Sequence, residues 1–209
     1  MKTILIFLLV LLTAVPAFAG TGVRGVMRAD NKPCLASVLH VDTLTATASH
    51  NVLSTHYVDS CLRNPGASVE LNAGGGGGAY GANGAGYAGD KVIAIVGVNN
   101  YEIYVGQGGD GGSSVGATVY GGTGYVNGAN ATTYGAGAGS SAILDYEETT
   151  VFAQAKGGNG AGGAAGGGTS TGGTVTAQGG AAGGAISTPG ADGNPGSNGS
   201  VVIRYYTAP

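Results

Sequence analysis

The sequence contains no tryptophan, only three phenylalanines and two cysteines, and few charges, with eight Lys or Arg and eleven Asp or Glu. The formal net charge of −3 offers no basic surface, so nucleic acid is not an expected partner. After residue 19 no apolar run is long enough to cross a bilayer, and no segment has a helical pattern. The mature chain is therefore expected to have no membrane span and to be built from strands and loops.

The first 19 residues are typical of a secretory signal peptide. Lys2 precedes an apolar run over residues 4–12, and the small-residue motif Ala17-Phe18-Ala19 precedes Gly20. Cleavage at that point predicts a mature chain beginning at Gly20. The expected localisation is extracellular, with the protein secreted or attached to the cell surface.

Residues 20–73 have the composition of a small conventional β segment, with only four glycines. Strands are expected at 41–49, 52–58 and 67–71. The two cysteines of the chain, Cys34 and Cys61, lie here, and in an exported protein they favour an intramolecular disulfide. Such a bridge would contribute about 3–4 kcal/mol in the chain-entropy model. A reduced pair and bridges to other chains are the alternatives.

Residues 74–209 form a separate glycine-rich domain that carries 41 of the 45 glycines. So few side chains cannot bury an ordinary hydrophobic core. Glycine is partly phased in threes, most clearly at Gly190, Gly193, Gly196 and Gly199. A left-handed extended helix has three residues per turn, so this phasing places glycine along one edge, where neighbouring backbones can touch and exchange hydrogen bonds. A flexible glycine linker is the alternative, and interspersed strand-like segments favour order over it.

Short strands are expected throughout the glycine-rich domain. The apolar segments 91–96 and 101–105 are joined by Gly97-Val98-Asn99-Asn100, which predicts a hairpin. In the second of them Tyr101, Ile103 and Val105 should share one face. Further strands are expected at 117–120, 141–146, 149–155, 174–178 and 200–206.

The order of these segments resembles the glycine-rich domain of phage tail-fibre and distal adhesin proteins. The matching stretches are YEIYVGQGGDGG (101–112), SSVGATVYGGTG (113–124), VFAQAKGGNGAGG (151–163) and GADGNPGSNGSVVIRYY (190–206). The resemblance covers roughly residues 74–206 and implies a bundle of polyglycine II helices capped by short strands, with exposed loops that recognise a receptor. Val115 stands where the family usually has an aromatic residue, and the leader and cysteines depart from its pattern. The predicted fold class is thus all-β with polyglycine II, preceded by a small disulfide-bearing β segment.

Three motifs resemble chemical sites, and each has a simpler interpretation. Residues 106–111 fit the G-x-G-x-x-G pattern after a strand, but the following residues cannot open the helix that a dinucleotide site requires. Asp145, Glu147 and Glu148 form an acidic cluster that could be a catalytic pair or a calcium site, but it is more typical of a solvated turn. The histidines lack zinc-ligand spacing. We therefore expect no metal, no cofactor and no enzymatic activity.

Tyrosine is the one abundant aromatic residue, with 11 copies. Tyrosine offers a large contact area together with a polar group, so a tyrosine-rich surface can serve as an interface. The alternative is that these rings only cover the edges of the glycine bundle. The five that neighbour glycine are the candidate interface residues: Tyr80, Tyr87, Tyr120, Tyr125 and Tyr134.

The sequence favours a secreted, non-enzymatic structural protein that assembles with copies of itself into an extracellular filament or matrix. One mechanism for this is strand addition by residues 20–32 to a neighbour's sheet. An adhesin that touches a cell surface or glycan through loops around 121–139 is the second hypothesis. An ice-binding protein is a third, although the threonines are too few for a regular flat face.

Overall fold

The computed structural model describes residues 38–45, 48–50, 66–97 and 99–207. In this part of the chain the fold is all-β, with no helix. The predicted signal peptide, both cysteines with their predicted disulfide, and the expected strand at 52–58 lie outside the described residues.

Nine strands occur in the described residues. They are β1 (Val38–Leu44), β2 (Ala48–His50), β3 (Ala67–Asn72), β4 (Lys91–Val96), β5 (Tyr101–Tyr104), β6 (Ser141–Asp145), β7 (Val151–Ala155), β8 (Thr174–Thr176) and β9 (Ser200–Thr207). Where residues 117–120 were expected to form a strand, the structure has only an isolated bridge between Val119 and Ala131.

The strands form two antiparallel sheets. One has five strands in the order β1-β9-β3-β4-β8, and the other has four in the order β2-β5-β6-β7. The last strand, β9, pairs with β1 on one side and with β3 on the other. This interior position fits its sequence, SVVIRYYT, because β-branched and aromatic residues suit a strand flanked on both sides.

The inner faces of the two sheets share one hydrophobic core. Alternate residues point inward, so that β3 buries Val69 and Leu71, and β5 buries Tyr101 and Ile103. Val105, just beyond β5, is buried on the same side, which confirms the face predicted for this segment. Burying each large aliphatic side chain contributes roughly 1.5–3 kcal/mol.

The hairpin predicted for residues 91–105 is wrong. Strand β4 pairs with β3 and β8 in one sheet, whereas β5 pairs with β2 and β6 in the other. The intervening segment therefore crosses between sheets, and the Tyr101 hydroxyl donates a hydrogen bond to the Gly97 carbonyl across it. The apolar alternation predicted both strands. It does not determine which strands they pair with, because the pairing depends on where the rest of the chain lies in the two sheets.

The glycine-rich segments continue directly from the strands and pack beside one another away from the sheets. We call them the glycine bundle, which consists of a central segment, 73–81, and six segments around it. The surrounding segments are 84–90, 106–112, 133–139, 156–161, 180–184 and 191–199.

The central segment donates its backbone hydrogen bonds with a period of three. The N–H groups of residues 73, 76 and 79 reach segment 84–90, those of 74, 77 and 80 reach 133–139, and those of 75, 78 and 81 reach 191–199. The three acceptor segments run antiparallel to the central one, since the acceptor numbers fall as the donor numbers rise.

The carbonyl groups of the central segment accept from the other three neighbours. Residues 73 and 76 accept from 181 and 184, residues 74 and 77 from 158 and 161, and residues 75 and 78 from 109 and 112. These three segments run parallel to the centre. Adjacent members of the surrounding six also bond to one another, which closes a ring in which parallel and antiparallel segments alternate.

Close backbone approach explains why the centre is glycine. A Cβ atom added to Gly76 would lie 2.1 Å from the carbonyl oxygen of Asn159. At Gly75 it would lie 1.9 Å from the carbonyl oxygen of Ala182. Neither distance leaves room for a side chain, so the segments can pack at this spacing only if residues 75 and 76 are both glycine.

Candidate interaction surfaces

The outer face of the five-stranded sheet exposes several large apolar side chains. Adjacent pairs in its register include Leu39 with Tyr206 and Ser68 with Ile95. The exposed fractions of its apolar members are 49% for Leu39, 53% for Val41, 40% for Ile93, 77% for Ile95 and 43% for Tyr206. Exposed apolar side chains clustered on one face are typical of an interaction site. We call this surface the outer sheet face.

The charges on the outer sheet face compensate one another. Glu70 on β3 lies 3.3 Å from the Lys91 ammonium and 3.2 Å from the Arg204 guanidinium. Burial alone would raise the pKa of Glu70, but hydrogen bonds from Asn72, Lys91 and Arg204 and the charge of Lys91 together hold it below its usual range. The carboxylate is thus ionised between two cations, and the middle of the face carries no strong field of one sign.

A shallow cavity of about 410 Å³ lies at the end of this face farthest from the glycine bundle. Leu39, Ile95 and Tyr206 line it, with Gly66 and the Arg204 side chain at its margin. Its lining is largely apolar, so the cavity extends the outer sheet face toward β1.

The inner side of β1 is held by a polar contact with β9. The His40 ring stacks on the Tyr205 ring with centroids 5.3 Å apart and planes inclined by 14°. The Tyr205 hydroxyl donates to a carboxylate oxygen of Asp42 at 3.2 Å. Burial and the negative charge of Asp42 raise the pKa of Tyr205. These contacts fix the side chains of His40 and Asp42, which lie two residues apart on β1.

The five candidate tyrosines lie on separate segments with different neighbours. Tyr87, Tyr120 and Tyr134 are 53%, 65% and 50% exposed. The Tyr134 ring covers Gly162, where an added Cβ would meet the ring at 2.4 Å, and Tyr125 packs near Tyr104 at a centroid distance of 5.7 Å. Tyr80 is half-buried beside the loop that follows the central segment. Among the described residues, no ring contact joins any two of these five tyrosines.

Tyr87 borders a groove of about 230 Å³ between two bundle segments. Asp90, Lys156, Asn159 and Gln178 also line it. Asp90 is already engaged, because its carboxylate accepts hydrogen bonds from the Ser170 hydroxyl and the Gln178 N–H. The Asn159 side-chain oxygen accepts from the Gly166 N–H. Both groups therefore serve to hold the surrounding loops in place.

Several loops come together at the end of the bundle farthest from the sheets, and we call them the distal loops: 80–83, 113–118, 131–134 and 186–192. Gly81 donates to the Ala191 carbonyl, and Ser113 donates to the Thr132 carbonyl. The Ser114 N–H donates to Asp192 at 2.6 Å, which lowers the pKa of that carboxyl. Val115 and Ile186 are 83% and 58% exposed there.

The acidic cluster after β6 forms a tight turn. Asp145 accepts hydrogen bonds from the Thr149 hydroxyl and from the N–H groups of Thr149 and Thr150, and these contacts lower its pKa. Glu148 accepts from the Tyr104 hydroxyl at 2.6 Å, which raises the pKa of Tyr104 to about 12. No group of three or more potential metal-binding side chains occurs within the described residues.

The G-x-G-x-x-G pattern belongs to the bundle. Residues 106–112 follow β5 and exchange hydrogen bonds with the central segment and with 191–199, and no helix follows them in the described chain. The part of the chain that the structure describes also has no helix long and apolar enough to cross a bilayer.

No protein-family model matches this chain, and no curated protein is significantly similar to it in sequence. The function must therefore be argued from the surfaces themselves. Sequence reasoning missed the outer sheet face, although the alternation in residues 38–44 and 91–96 was available as a signal. That alternation predicts strands with two faces, but it does not indicate that the second face stays uncovered.

Proposed function

We propose that the segments of the glycine bundle are polyglycine II helices. The support is the three-residue period of the hydrogen bonds that the central segment donates, since a left-handed extended helix repeats every three residues. The close approach at Gly75 and Gly76 is the packing expected when such helices touch along bare edges. Cα–H···O contacts between these backbones would add weakly to the N–H···O bonds.

We infer that the protein is a non-enzymatic structural subunit that self-associates outside the cell. The observation that carries this inference is the outer sheet face, where Ile95 is 77% exposed among other apolar side chains. An isolated soluble protein rarely leaves such a surface uncovered. The low charge of the chain limits repulsion between copies. The inference that the protein is exported rests on the signal-peptide pattern in residues 1–19.

Assembly into a filament or matrix requires a second contact, because a single self-complementary contact gives only a dimer. The exposed tyrosines in and beside the bundle, Tyr87, Tyr120 and Tyr134, are the proposed second set of contacts. Their rings project from a body with few charges, and each offers contact area at low cost in side-chain entropy.

Negative-stain electron microscopy of the purified mature protein tests this function. We expect fibres or sheets at high protein concentration and their loss in Ile95→Lys, which places a charge in the apolar face. Glu147→Lys, on the exposed turn after β6, is the matched control and should assemble normally. Isolated particles of the unmodified protein at every concentration would contradict self-association.

An adhesin is the second candidate, and the distal loops favour it. Val115 and Ile186 are exposed on loops held at the end of a laterally bonded backbone bundle, and a rigid support is what a recognition surface needs. On this alternative, Val115→Asp abolishes attachment of the protein to cells or immobilised glycans and leaves its thermal unfolding unchanged. Attachment that survives this substitution would remove the distal loops from consideration.

A further inference from the structure

We propose that the groove beside Tyr87, between bundle segments 84–90 and 156–161, binds a glycine-rich peptide segment of a different protein. The peptide would lie along the bundle in a left-handed extended conformation and exchange backbone hydrogen bonds with both walls. We call this cavity of about 230 Å³ the Tyr87 groove. Its lining shares no residue with the outer sheet face, so the proposal goes beyond self-association.

Two other grooves of the bundle are each filled by a further segment of this chain, and we call these two the outer segments. Segment 120–123 is bonded to both walls of the groove between 106–112 and 133–139. Segment 164–167 is bonded to both walls of the next groove, between 133–139 and 156–161. The molecule itself therefore shows what such a groove accepts, which is one more extended backbone.

The outer segments are held by a repeated pattern of backbone hydrogen bonds. The N–H groups of Gly157 and Gly160 donate to carbonyls three residues apart in segment 164–167, at 3.0 and 2.8 Å. The Gly167 N–H donates to the Ala138 carbonyl on the opposite wall at 2.8 Å. The other outer segment has the same arrangement with its own walls. Each occupant thus accepts from N–H groups of one wall and donates to a carbonyl of the other.

The same pattern identifies the donor in the Tyr87 groove. Segment 156–161 presents its N–H groups in three rows, because its bonds repeat every three residues. One row donates to the central segment, and a second row donates to the outer segment 164–167. The third row consists of Lys156 and Asn159, which both line the groove. The Asn159 N–H has no hydrogen-bond partner among the described residues, so it is the donor that the groove offers.

The Lys156 end of the groove is closed by side chains. The Lys156 N–H donates to the Ser170 hydroxyl oxygen at 3.0 Å, and this hydroxyl donates to Asp90 at 2.7 Å. The Ser170 oxygen thus takes the acceptor position that a carbonyl takes in the outer segments. We therefore expect the peptide to begin beyond Ser170 and to accept its first hydrogen bond from Asn159.

The opposite wall offers an acceptor at Ala88. In segment 84–90, a row of carbonyls three residues apart, which includes that of Tyr87, accepts from the central segment. Ala88 lies outside this row and lines the groove, and within the described chain neither its N–H nor its carbonyl is bonded. The Tyr87 groove thus has an N–H on one wall and a carbonyl on the other, as the two filled grooves do.

Close backbone approach determines which peptide fits. A Cβ atom on Gly166 would lie 1.9 Å from the Gly157 carbonyl oxygen, and one on Gly122 would lie 2.0 Å from the Gln107 carbonyl oxygen. The outer segments therefore need glycine where they touch a wall, and the same spacing in the Tyr87 groove requires it too. The exposed Tyr87 ring adds contact area beside the peptide. The bundle segments of a second copy are already bonded within their own bundle, so the source is a different protein.

A nuclear magnetic resonance titration of the isotope-labelled mature protein tests the proposal. The probe is the blocked peptide acetyl-(Gly-Gly-Ala)4-amide at millimolar concentration. We expect the Asn159 amide proton to shift and its exchange with solvent to slow at least about tenfold, because it gains a hydrogen bond. The control is acetyl-(Pro-Pro-Ala)4-amide, which is also extended but has bulky rings and few N–H groups. An unchanged Asn159 amide with the glycine peptide, or equal changes with both peptides, would overturn the proposal.

A filled groove gives the matched variant. Ala88→Leu should weaken binding of the glycine peptide at least about tenfold, because the larger side chain occupies the space of the peptide. Ala182→Leu is the control, since Ala182 is exposed on another segment of the ring and does not line the groove. It should bind like the unmodified chain. Equal weakening by the two substitutions would mean that the peptide does not bind in the Tyr87 groove.

The outcomes separate this site from the proposed function. Ile95→Lys, which should prevent assembly, should bind the glycine peptide like the unmodified chain. A chain that assembles but shows no change at Asn159 overturns the peptide site alone, and a chain that binds the peptide but never assembles overturns self-association alone. If the peptide binds only after deletion of residues 20–32, those residues are the occupant, and a different protein as the source is wrong.

Discussion

Gly76 illustrates how single residues determine the bundle. Its N–H donates to the Tyr87 carbonyl, its carbonyl accepts from the Gly184 N–H, and its Cα faces the Asn159 carbonyl. One residue thus touches three different segments. Its value to the fold comes from the absence of a side chain rather than from an unusual backbone angle, since it has no positive φ.

We expect Gly76→Ala to lower the free energy of unfolding by about 3 kcal/mol, because the new methyl group forces two bundle segments apart. Gly97→Ala is the matched control, since no atom lies within 4 Å of a Cβ at that position. The control should change stability by less than about 1 kcal/mol. Denaturant unfolding of both variants measures the difference, and equal losses would contradict backbone contact as the reason for glycine.

Glu70 gives a prediction about pH. Its pKa is lowered in the fold, so the carboxylate contributes stability at pH values above its unfolded pKa of about 4.3, and this contribution is lost as pH falls through the lowered value. Glu70→Gln should therefore destabilise the protein near neutral pH, by at most about 1 kcal/mol because the pairs are partly exposed. At acidic pH the difference should shrink.

Thermal unfolding of Glu70→Gln as a function of pH provides the measurement. Glu147→Gln, on the exposed turn after β6, serves as its control and should show no such trend. If Glu70→Gln remains less stable than the unmodified protein by the same amount below the pH range in which carboxyl groups titrate, then Glu70 stabilises the sheet through its packing and not through its charge.

At the scale of elements, the strands were more predictable than their partners. The apolar alternation in residues 91–96 gave β4 with its observed bounds, and residues 200–206 gave most of β9. The hairpin between β4 and β5 was wrong because a short turn fits both a hairpin and a crossing between two sheets. Only the long-range pairing of β4 with β8 and of β5 with β2 decides between them.

The outer sheet face could not be predicted for the same reason. Its members come from β1, β4 and β9, which are distant in sequence. Each strand pattern predicts an inner and an outer side. Whether Leu39, Ile95 and Tyr206 form one surface depends on the order β1-β9-β3-β4, which local patterns do not contain. The five candidate tyrosines can be selected from composition and from their glycine neighbours, but composition does not show which side chains each ring contacts.

The central segment should be the most protected element against hydrogen exchange. Each N–H from 73 to 81 donates to another segment, and residues 73–79 are buried on all sides. We expect these amides to exchange only through global unfolding, and those of 113–118 to exchange through local opening. Mass spectrometry of exchanged peptides tests this. Equal exchange in both regions would mean that the bundle opens independently of the sheets.

At the scale of the whole molecule, we expect the sheets and the bundle to unfold as one cooperative unit. Segment 191–199 completes the ring around the central segment, and β9 then joins β1 to β3. A chain ending at residue 190 lacks both. We expect it to lose cooperative unfolding by circular dichroism, whereas a chain ending at residue 207 should keep it. Cooperative unfolding of the shorter chain would show that the sheets fold without the complete ring.

The position of segment 73–81 at the centre of its ring also has a kinetic consequence. It is synthesised before any of its six neighbours, and the last of them, 191–199, follows about 120 residues later, or roughly 6–24 s at ordinary translation rates. During this interval the N–H groups of residues 75, 78 and 81, whose acceptors lie in segment 191–199, lack their final partners. The chain thus folds late and through contacts distant in sequence, which makes folding slow. The residues of segment 73–81, which become the most deeply buried in the fold, are therefore the ones of the bundle that stay exposed to solvent for the longest time during synthesis.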